Sequence, residues 1–424
     1  MDRFRIKGPH RLEGSVRASG AKNAALPALA STLLTDEPVR LLRLPKVQDI
    51  RTMRRLLEHL GVESEETEDG TYAGLELHHT NAPSPDDAPY ELVKTMRASV
   101  LVLGPLLGRL GHARVSLPGG CAIGVRPIDQ HLAGLEAMGA QVTLEHGYVT
   151  ATADRLVGTR FRFSTPTVTG TENVLMAATL ARGETVLENC AREPEIVDLA
   201  LLLTKMGARI EGAGEETIRI EGVDSLGSAE HRIISDRIEG GTYLAGAALT
   251  AGDVVLLDAS PADMAPFLEK LDESGCDVEV DRENDSIRVW RSGPLRPRDV
   301  VTAPHPGFPT DLQAQYMAVM TAAEGVCTVC ETVFENRFQH VLELNRMGAE
   351  ISVDGSFARV HGPSQLSGAQ VMATDLRASA SLVLAGLAAE GETFVQRIYH
   401  LDRGYEKMEL KLQQLGADVV REPG

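Results

Sequence analysis

The chain has 424 residues, 43% of them hydrophobic, which is enough length for two domains and enough apolar content for large buried cores. A formal charge of −18 and an aromatic content of 4% exclude a protein built to hold nucleic acid, which needs a basic face and stacking platforms. Five scattered cysteines do not make a secreted disulfide framework, and the start MDRFRIKGPH has no apolar signal core. The richest apolar runs, 99–110 and 382–389, are too short to span a bilayer, so a soluble cytoplasmic protein is expected.

Taken in chain order, two kinds of helix alternate, each six times. The first kind is amphipathic and runs into a glycine suited to a helix C′ position: LLEHLGV (Gly61), LEAMGA (Gly139), LLTKMGA (Gly207), LDESGC (Gly275), LNRMGA (Gly348) and LQQLGA (Gly416). Steps of 68 to 78 residues separate these glycines. Short alternating strands follow, as in ARIEGAGEETIRIEG at 208–222. The second kind is apolar almost all round and rich in Ala, Gly and Ser. Its copies begin at 24, 98, 171, 241, 313 and 378, and each leads into a turn and a β-branched stretch. Small-residue helices of this type can be buried and can approach one another closely. Six repeats of strands plus two helices suggest either two domains of three repeats or one solenoid.

Several residues have the right chemistry for an anionic substrate. Lys22 and Asn23 follow a short glycine-containing turn, which can present an ammonium to a phosphate. Cys121 lies in the loop PGGCAIG with Arg126 five residues on, where a nearby cation can lower a thiol pKa. Asp311 in PTDL and Asp375 in ATDL each sit at an ordinary helix start, where an N-cap is the alternative to an acid–base role. Arg97, Arg126, Arg337, Arg377 and Arg403 come from separate segments, and convergent arginines suit bidentate recognition of carboxylate and phosphate. Cys190, Cys276, Cys327 and Cys330 read as structural thiols. The Cys327–Cys330 pair has no second pair for zinc and falls in an expected helix-to-strand turn.

The segments SGAKNAALPAL, VKTMRAS, SLPGGCAIGVRPID, AREPEIVD, FPTDLQAQ, TVFENRF, GAQVMATDLRASASLVLAG and RIYHLDRGYE together resemble the UDP-N-acetylglucosamine enolpyruvyltransferase family. The resemblance extends from the first to the last 25 residues. It implies an α/β fold of two similar domains, each of three βαβαββ-like repeats with helices inside and sheets outside, an inside-out α/β barrel. Residues 20–233 would form one domain, and 1–19 with 234–424 the other, with the active site in the cleft between them.

The resemblance also implies a reaction. The sugar 3-hydroxyl adds to C2 of phosphoenolpyruvate while C3 is protonated, and phosphate leaves as C3 is deprotonated. Cys121 would be the acid at C3, Asp311 the base for the hydroxyl, and Lys22 and Asp375 further catalytic residues. Phosphoenolpyruvate would be held by Lys22, Asn23, Arg126, Arg337, Arg377 and Arg403. UDP-N-acetylglucosamine would meet Asn23, Arg97, Arg126, Pro127, Ile128, Asp129, Gln130, Thr169, Gly170, Asp311 and Val333. Two places depart from the family pattern. Gln130 stands where many relatives carry an apolar residue, and Pro166–Gly170 replaces a lysine- and serine-containing form that helps to hold the diphosphate. Thr167, Thr169 and backbone N–H groups at the start of a helix after Gly170 could substitute.

The nearest competing reading is the sister transferase that acts on shikimate 3-phosphate, which lacks the PGGC loop cysteine. A catalytically idle paralogue that binds the nucleotide sugar is another. There is no metal-ligand cluster and no dinucleotide fingerprint, and phosphoenolpyruvate is itself a substrate, so no cofactor is expected. The expected partners are the two small-molecule substrates, with no nucleic acid and no membrane, and the sequence names no protein partner.

Overall fold

Ala, Gly and Ser leave a helix no side chains with which to hold its neighbours apart, and this property organises the structure. The computed structural model describes residues 2–79, 88–94, 96–117 and 128–424. The small-residue runs form the helices Lys22–Ser31, Leu103–Leu110, Val168–Ala178, Arg237–Leu249, Gln313–Met320 and Leu376–Ala388. In Arg237–Leu249 every residue from Ile238 onward is buried. At Gly104 a Cβ would lie 2.2 Å from the Asn173 carbonyl oxygen of the neighbouring helix, a contact only glycine allows.

The amphipathic runs form Gln48–His59, Asp129–Ala137, Pro194–Lys205, Ala265–Glu273, His340–Arg346 and Met408–Gln414. All six glycines read from the sequence have positive φ, from +86° at Gly61 to +108° at Gly207. After Pro194–Lys205 the Gly207 N–H donates to the Thr204 carbonyl at 3.0 Å and the Ala208 N–H to the Leu203 carbonyl at 2.9 Å. These two bonds make a Schellman closure, which satisfies carbonyls that the helix end would otherwise orphan.

The repeats share one sheet plan. In the third repeat Arg160–Arg162 pairs parallel with Glu184–Glu188, which pairs antiparallel with Thr217–Glu221, which pairs antiparallel with Arg209–Glu211. Reading along the chain gives β, buried helix, β, amphipathic helix, β, β, the order expected from the resemblance. The same order of pairing recurs in four other sheets. Among the described residues the sheet of His112–Ser116, Tyr148–Thr152 and Gln141–Glu145 has three strands, with the parallel bridge Ala88–Val115 at its edge. The chain start is used at its end: Asp2–Gly8 lies between Gly391–Gln396 and Asp418–Pro423, antiparallel to both.

The chain divides into two compact units, 2–19 with Ser235–Gly424, and 20–117 with 128–234. Each has its own core, the first around Tyr243, Phe267 and Tyr316 and the second around Leu29, Met53 and Phe163. Three local expectations need correction. Gly170 lies inside the helix Val168–Ala178, because Thr167 takes the N-cap and its hydroxyl accepts from the Gly170 N–H at 3.3 Å. Cys327 and Cys330 lie in the strand Gly325–Cys330, which pairs antiparallel with Phe357–Gly362, and not in a turn. Residues Arg97–Val102 form a 3-10 helix ahead of Leu103–Leu110, where the sequence suggested one continuous α-helix.

Gly207 isolates the cost of the left-handed turn, since a Cβ there meets nothing within 4 Å. Gly207→Ala is expected to cost about 1–2 kcal/mol through backbone conformation alone. Thermal unfolding should show the midpoint of this variant lowered by roughly 3–6 °C, with Gly207→Asn milder.

Candidate active site

In the unit containing 235–424, three of the sequence candidates meet. Asp311 sits in the 3-10 turn Thr310–Leu312 that leads into Gln313–Met320. Its side chain does not cap the helix. Instead, Oδ1 accepts from Arg337 Nη2 at 2.7 Å, and Oδ2 accepts from Arg377 Nε at 3.1 Å and Nη2 at 3.0 Å. Arg337 and Arg377 are only 3% and 4% exposed, while the Asp311 side chain is 27% exposed. Burial opposes the Arg377 charge, but Asp311, Tyr405 and Asp236 outweigh it and hold the pKa above the ordinary arginine value. Arg377 Nη1 is buried and has no hydrogen-bond partner among the described residues. A buried, charged N–H left over in this way is a position for an anionic acceptor.

Asp375 is the N-cap of Leu376–Ala388, its Oδ1 accepting from the N–H groups of Arg377 and Ala378 at 2.8 and 3.0 Å. The cap fixes the helix turn from which Arg377 projects. Burial pushes the His340 ring down to about 4, with Arg337 adding to the shift and Asp375 opposing it. Burial and Arg403 lower His400, again against Asp375. Asp375, Arg337 and Arg403 therefore share one electrostatic neighbourhood. Arg403 ends the turn Ile398–Arg403, and Tyr405, two residues on, places its ring 5.5 Å from the Arg377 guanidinium. The Tyr405 hydroxyl lies 2.9 Å from Thr242 Oγ1 and accepts from Gln315 Nε2 at 3.3 Å, so one side chain links three buried helices.

The other unit carries the remaining candidates. Lys22 opens the helix Lys22–Ser31, and its Nζ lies 3.2 Å from Asp49 Oδ2, with both side chains largely buried. Asn23, the next residue, is exposed. Arg97 begins its 3-10 helix, half-buried. Its charge adds to burial in pushing His131 down to about 4. The surrounding hydrogen bonds fix the His131 tautomer. Asn173 Oδ1 accepts from the Gly104 N–H at 2.6 Å, so its Nδ2 donates to the Val100 carbonyl and, at 3.0 Å, to His131 Nδ1. His131 Nε2 then carries the proton, 3.3 Å from Thr169 Oγ1. Gln130 Oε1 accepts from the Ser164 N–H at 2.7 Å, and Nε2 donates to Thr165, which ties it to the residues just ahead of the divergent Pro166–Gly170 segment. Ile128 packs half-buried against the core, and Asp129 is exposed at the first position of its helix. Cys121, Arg126 and Pro127 lie outside the described residues.

The structure adds residues that the sequence reading did not select. Asp49, His131, Tyr405 and Glu331 each hold a candidate or a candidate's neighbour. Glu172 is buried, and burial together with Glu195 and Glu193 raises its pKa well above the ordinary carboxylate value. Tyr405 lies inside the family-like segment RIYHLDRGYE and Glu331 directly before TVFENRF, which was the only available signal for these two.

Three kinds of comparison bear on this arrangement. The family model of EPSP synthase (3-phosphoshikimate 1-carboxyvinyltransferase) matches residues 6–412. UDP-N-acetylglucosamine 1-carboxyvinyltransferase of Koribacter versatilis is 57% identical over 421 residues, covering 99% of this chain and 96% of that one. The enzyme of the same name from Sorangium cellulosum is 58% identical over 426 residues, covering 100% and 99%. Among solved structures, the enolpyruvyl transferase NikO from Streptomyces tendae matches with a TM-score of 0.88 and 28% identity, covering 100% of this chain and 99% of that one. EPSP synthase from Acinetobacter baumannii matches over the whole of both chains with a TM-score of 0.77 but 18% identity, which shows the fold alone. No helix among the described residues is long and apolar enough to cross a membrane.

The buried, neutral His131 gives a signed pH dependence. Its folded pKa of about 4 lies below the ordinary 6.5, so its contribution is intact above pH 6.5. The contribution is lost as pH falls toward 4, because only the unfolded chain takes the proton. Denaturant unfolding at pH 5 should show about 2 kcal/mol less stability from this group than at pH 7. His131→Gln is expected to flatten the curve by that amount.

Proposed function

This chain belongs to the EPSP synthase family of enolpyruvyl (1-carboxyvinyl) transferases, and from that premise we propose that it transfers the enolpyruvyl group of phosphoenolpyruvate to the 3-hydroxyl of UDP-N-acetylglucosamine, releasing phosphate. The observation that carries the choice of acceptor is end-to-end likeness, at more than half of all positions, to relatives bearing that enzyme's name. The solved shikimate-side enzyme shares the fold at far lower identity. The reaction would be the first committed step of peptidoglycan synthesis, carried out in the cytoplasm.

The proposed chemistry draws on both units. Lys22 and Asn23 in one, with Arg337, Arg377 and Arg403 in the other, supply cations and donors for a small molecule carrying a phosphate and a carboxylate. Arg126 adds to them by resemblance. In the addition step the sugar O3–H gives its proton to Asp311, O3 bonds to C2, and Cys121 gives a proton to C3. In the elimination step C3 would return a proton to the Cys121 thiolate, the C2=C3 bond would re-form, and the C2–O bond to phosphate would break, the leaving phosphate taking up the proton held on Asp311. Asp375 supports the step by fixing the helix turn that bears Arg377. Arg97, Pro127, Ile128, Asp129, Gln130, Thr169, Gly170 and Val333 would face the nucleotide sugar.

Asp311 is already engaged by two guanidinium groups, which compete with its use as a base. A substrate carboxylate arriving at Arg377 Nη1 would draw the guanidinium toward itself and release Asp311. Binding of one substrate would thus prepare the base for the other.

Phosphate release from phosphoenolpyruvate tests this reading, with UDP-N-acetylglucosamine and shikimate 3-phosphate as parallel acceptors. Release is expected only with the nucleotide sugar; release only with shikimate 3-phosphate would move the chain to the sister activity. Asp311→Asn should lower kcat by about 10²–10⁴-fold, and Cys121→Ala should lower it in the same direction.

A further inference from the structure

Glu331 lies at the end of the strand Gly325–Cys330, just before the TVFENRF segment, and is 4% exposed. A buried carboxylate must be supplied with donors. None of the described arginines or lysines pairs with this one. Its Oε1 accepts from Thr302 Oγ1 at 2.8 Å, from the Val333 N–H at 2.8 Å and from the Phe334 N–H at 3.2 Å. Its Oε2 accepts from Thr310 Oγ1 at 2.8 Å. The Thr302 hydroxyl in turn accepts from the Thr332 N–H at 2.9 Å.

Three segments are thereby fixed to one group: the chain at Thr302, the turn that carries Asp311, and the loop just after Glu331 that carries Val333. We propose that Glu331 is a positioning residue for the acceptor sugar, setting the base Asp311 and the sugar-side Val333 in register with each other. The proposal rests on the transferase reading above. Glu331 does not touch the reacting atoms. It acts through Thr310, whose hydroxyl it anchors one residue before Asp311, and through the Val333 N–H. A displacement of about 1 Å at such a base can cost about 10²-fold in rate. Neither Arg337 nor Arg377 donates a hydrogen bond to Glu331, so the phosphoenolpyruvate side should be little affected.

The test is steady-state kinetics of Glu331→Ala and Glu331→Gln with each substrate varied in turn. Glu331→Ala is expected to lower kcat/KM for UDP-N-acetylglucosamine by about 30–100-fold while KM for phosphoenolpyruvate stays within about twofold. Glutamine can keep Oε1 as the acceptor and donate from Nε2 to the Thr310 hydroxyl, so Glu331→Gln should recover to within about fivefold of the unaltered enzyme. Equal loss toward both substrates, no loss in Glu331→Ala, or a glutamine variant no better than alanine would each overturn the proposal. Should Glu331→Ala fail to fold, Thr302→Val removes one donor from the same carboxylate without shortening any side chain. It should weaken use of the nucleotide sugar by about fivefold, and an effect confined to phosphoenolpyruvate would count against Glu331. An unaltered enzyme that is inactive with UDP-N-acetylglucosamine would sink the transferase reading itself. An active one with unselective variants would sink only the role of Glu331.

Discussion

Two guanidinium groups, both more than nine-tenths buried, share a single carboxylate at Asp311, and much of the local architecture is a consequence of keeping those charges in place. A buried cation without a partner costs several kcal/mol, and removal of one member of such a set leaves the others uncompensated. The fold answers this by projecting each charge from a rigid position. Arg377 leaves the first turn of Leu376–Ala388, whose start is fixed by the Asp375 cap. Asp311 leaves the turn in front of Gln313–Met320. Tyr405 lies beside Arg377 with its hydroxyl tied to two further helices. Gly404 makes room for this, since a Cβ there would lie 2.6 Å from Leu376.

The same placement recurs through the chain. Lys22 and Asn23 open Lys22–Ser31, and Thr169 and Gly170 lie in the first turn of Val168–Ala178. Arg97 begins the 3-10 segment that runs into Leu103–Leu110. Candidate groups thus gather at the N-terminal ends of the helices that are otherwise buried. Those ends carry unsatisfied N–H groups and the positive end of the helix dipole, which suits phosphate and carboxylate. A helix rich in alanine and glycine offers few polar side chains along its length, so its end is where its backbone can meet a ligand. Sixfold repetition of such helices supplies several ends from one plan, and this accounts for candidate residues spread from 22 to 377 in the sequence.

This also explains what could be read in advance. The repeat and the glycine closures follow from local periodicity and backbone sterics, which a sequence displays directly, whereas the strand order was implied only by the family resemblance. The arginines and aspartates were legible as residue types within family-like segments, but their partners were not. Pro309-Thr310-Asp311-Leu312 and Ala373-Thr374-Asp375-Leu376 both contain Thr-Asp-Leu at a helix start. Asp375 caps its helix from an extended backbone, whereas Asp311 falls within a 3-10 turn after Pro309 and turns to two arginines from other segments. No local signal separates the two outcomes, because the deciding contacts lie 26 and 66 residues away. Asp49 and Glu331 were missed for the same reason: a lone acid in sequence carries no mark of the lysine or the four donors it will meet.

The chain bears a formal charge of −18, yet its proposed substrates are anions. The structure resolves this by separating surface charge from site charge. Exposed arginines are largely engaged with carboxylates, as in Arg421 with Asp2 and Asp402, or Arg288 with Asp253. Of the candidate cations, Lys22, Arg337 and Arg377 are instead withdrawn into low-dielectric surroundings, where a charge acts strongly over a few ångströms and is poorly screened by salt. Attraction at long range is given up, since the net field around the protein repels anions. What remains is short-range selectivity. On the proposed reading, a ligand would bring its own negative charge close enough to displace Asp311 from its arginines, and a molecule lacking a carboxylate at that point would not make the exchange. The shared carboxylate would then stand in for the substrate's anion as well as serve as the candidate base. In both roles it would depend on the helix start that holds Arg377 and the turn ahead of His340–Arg346 that holds Arg337.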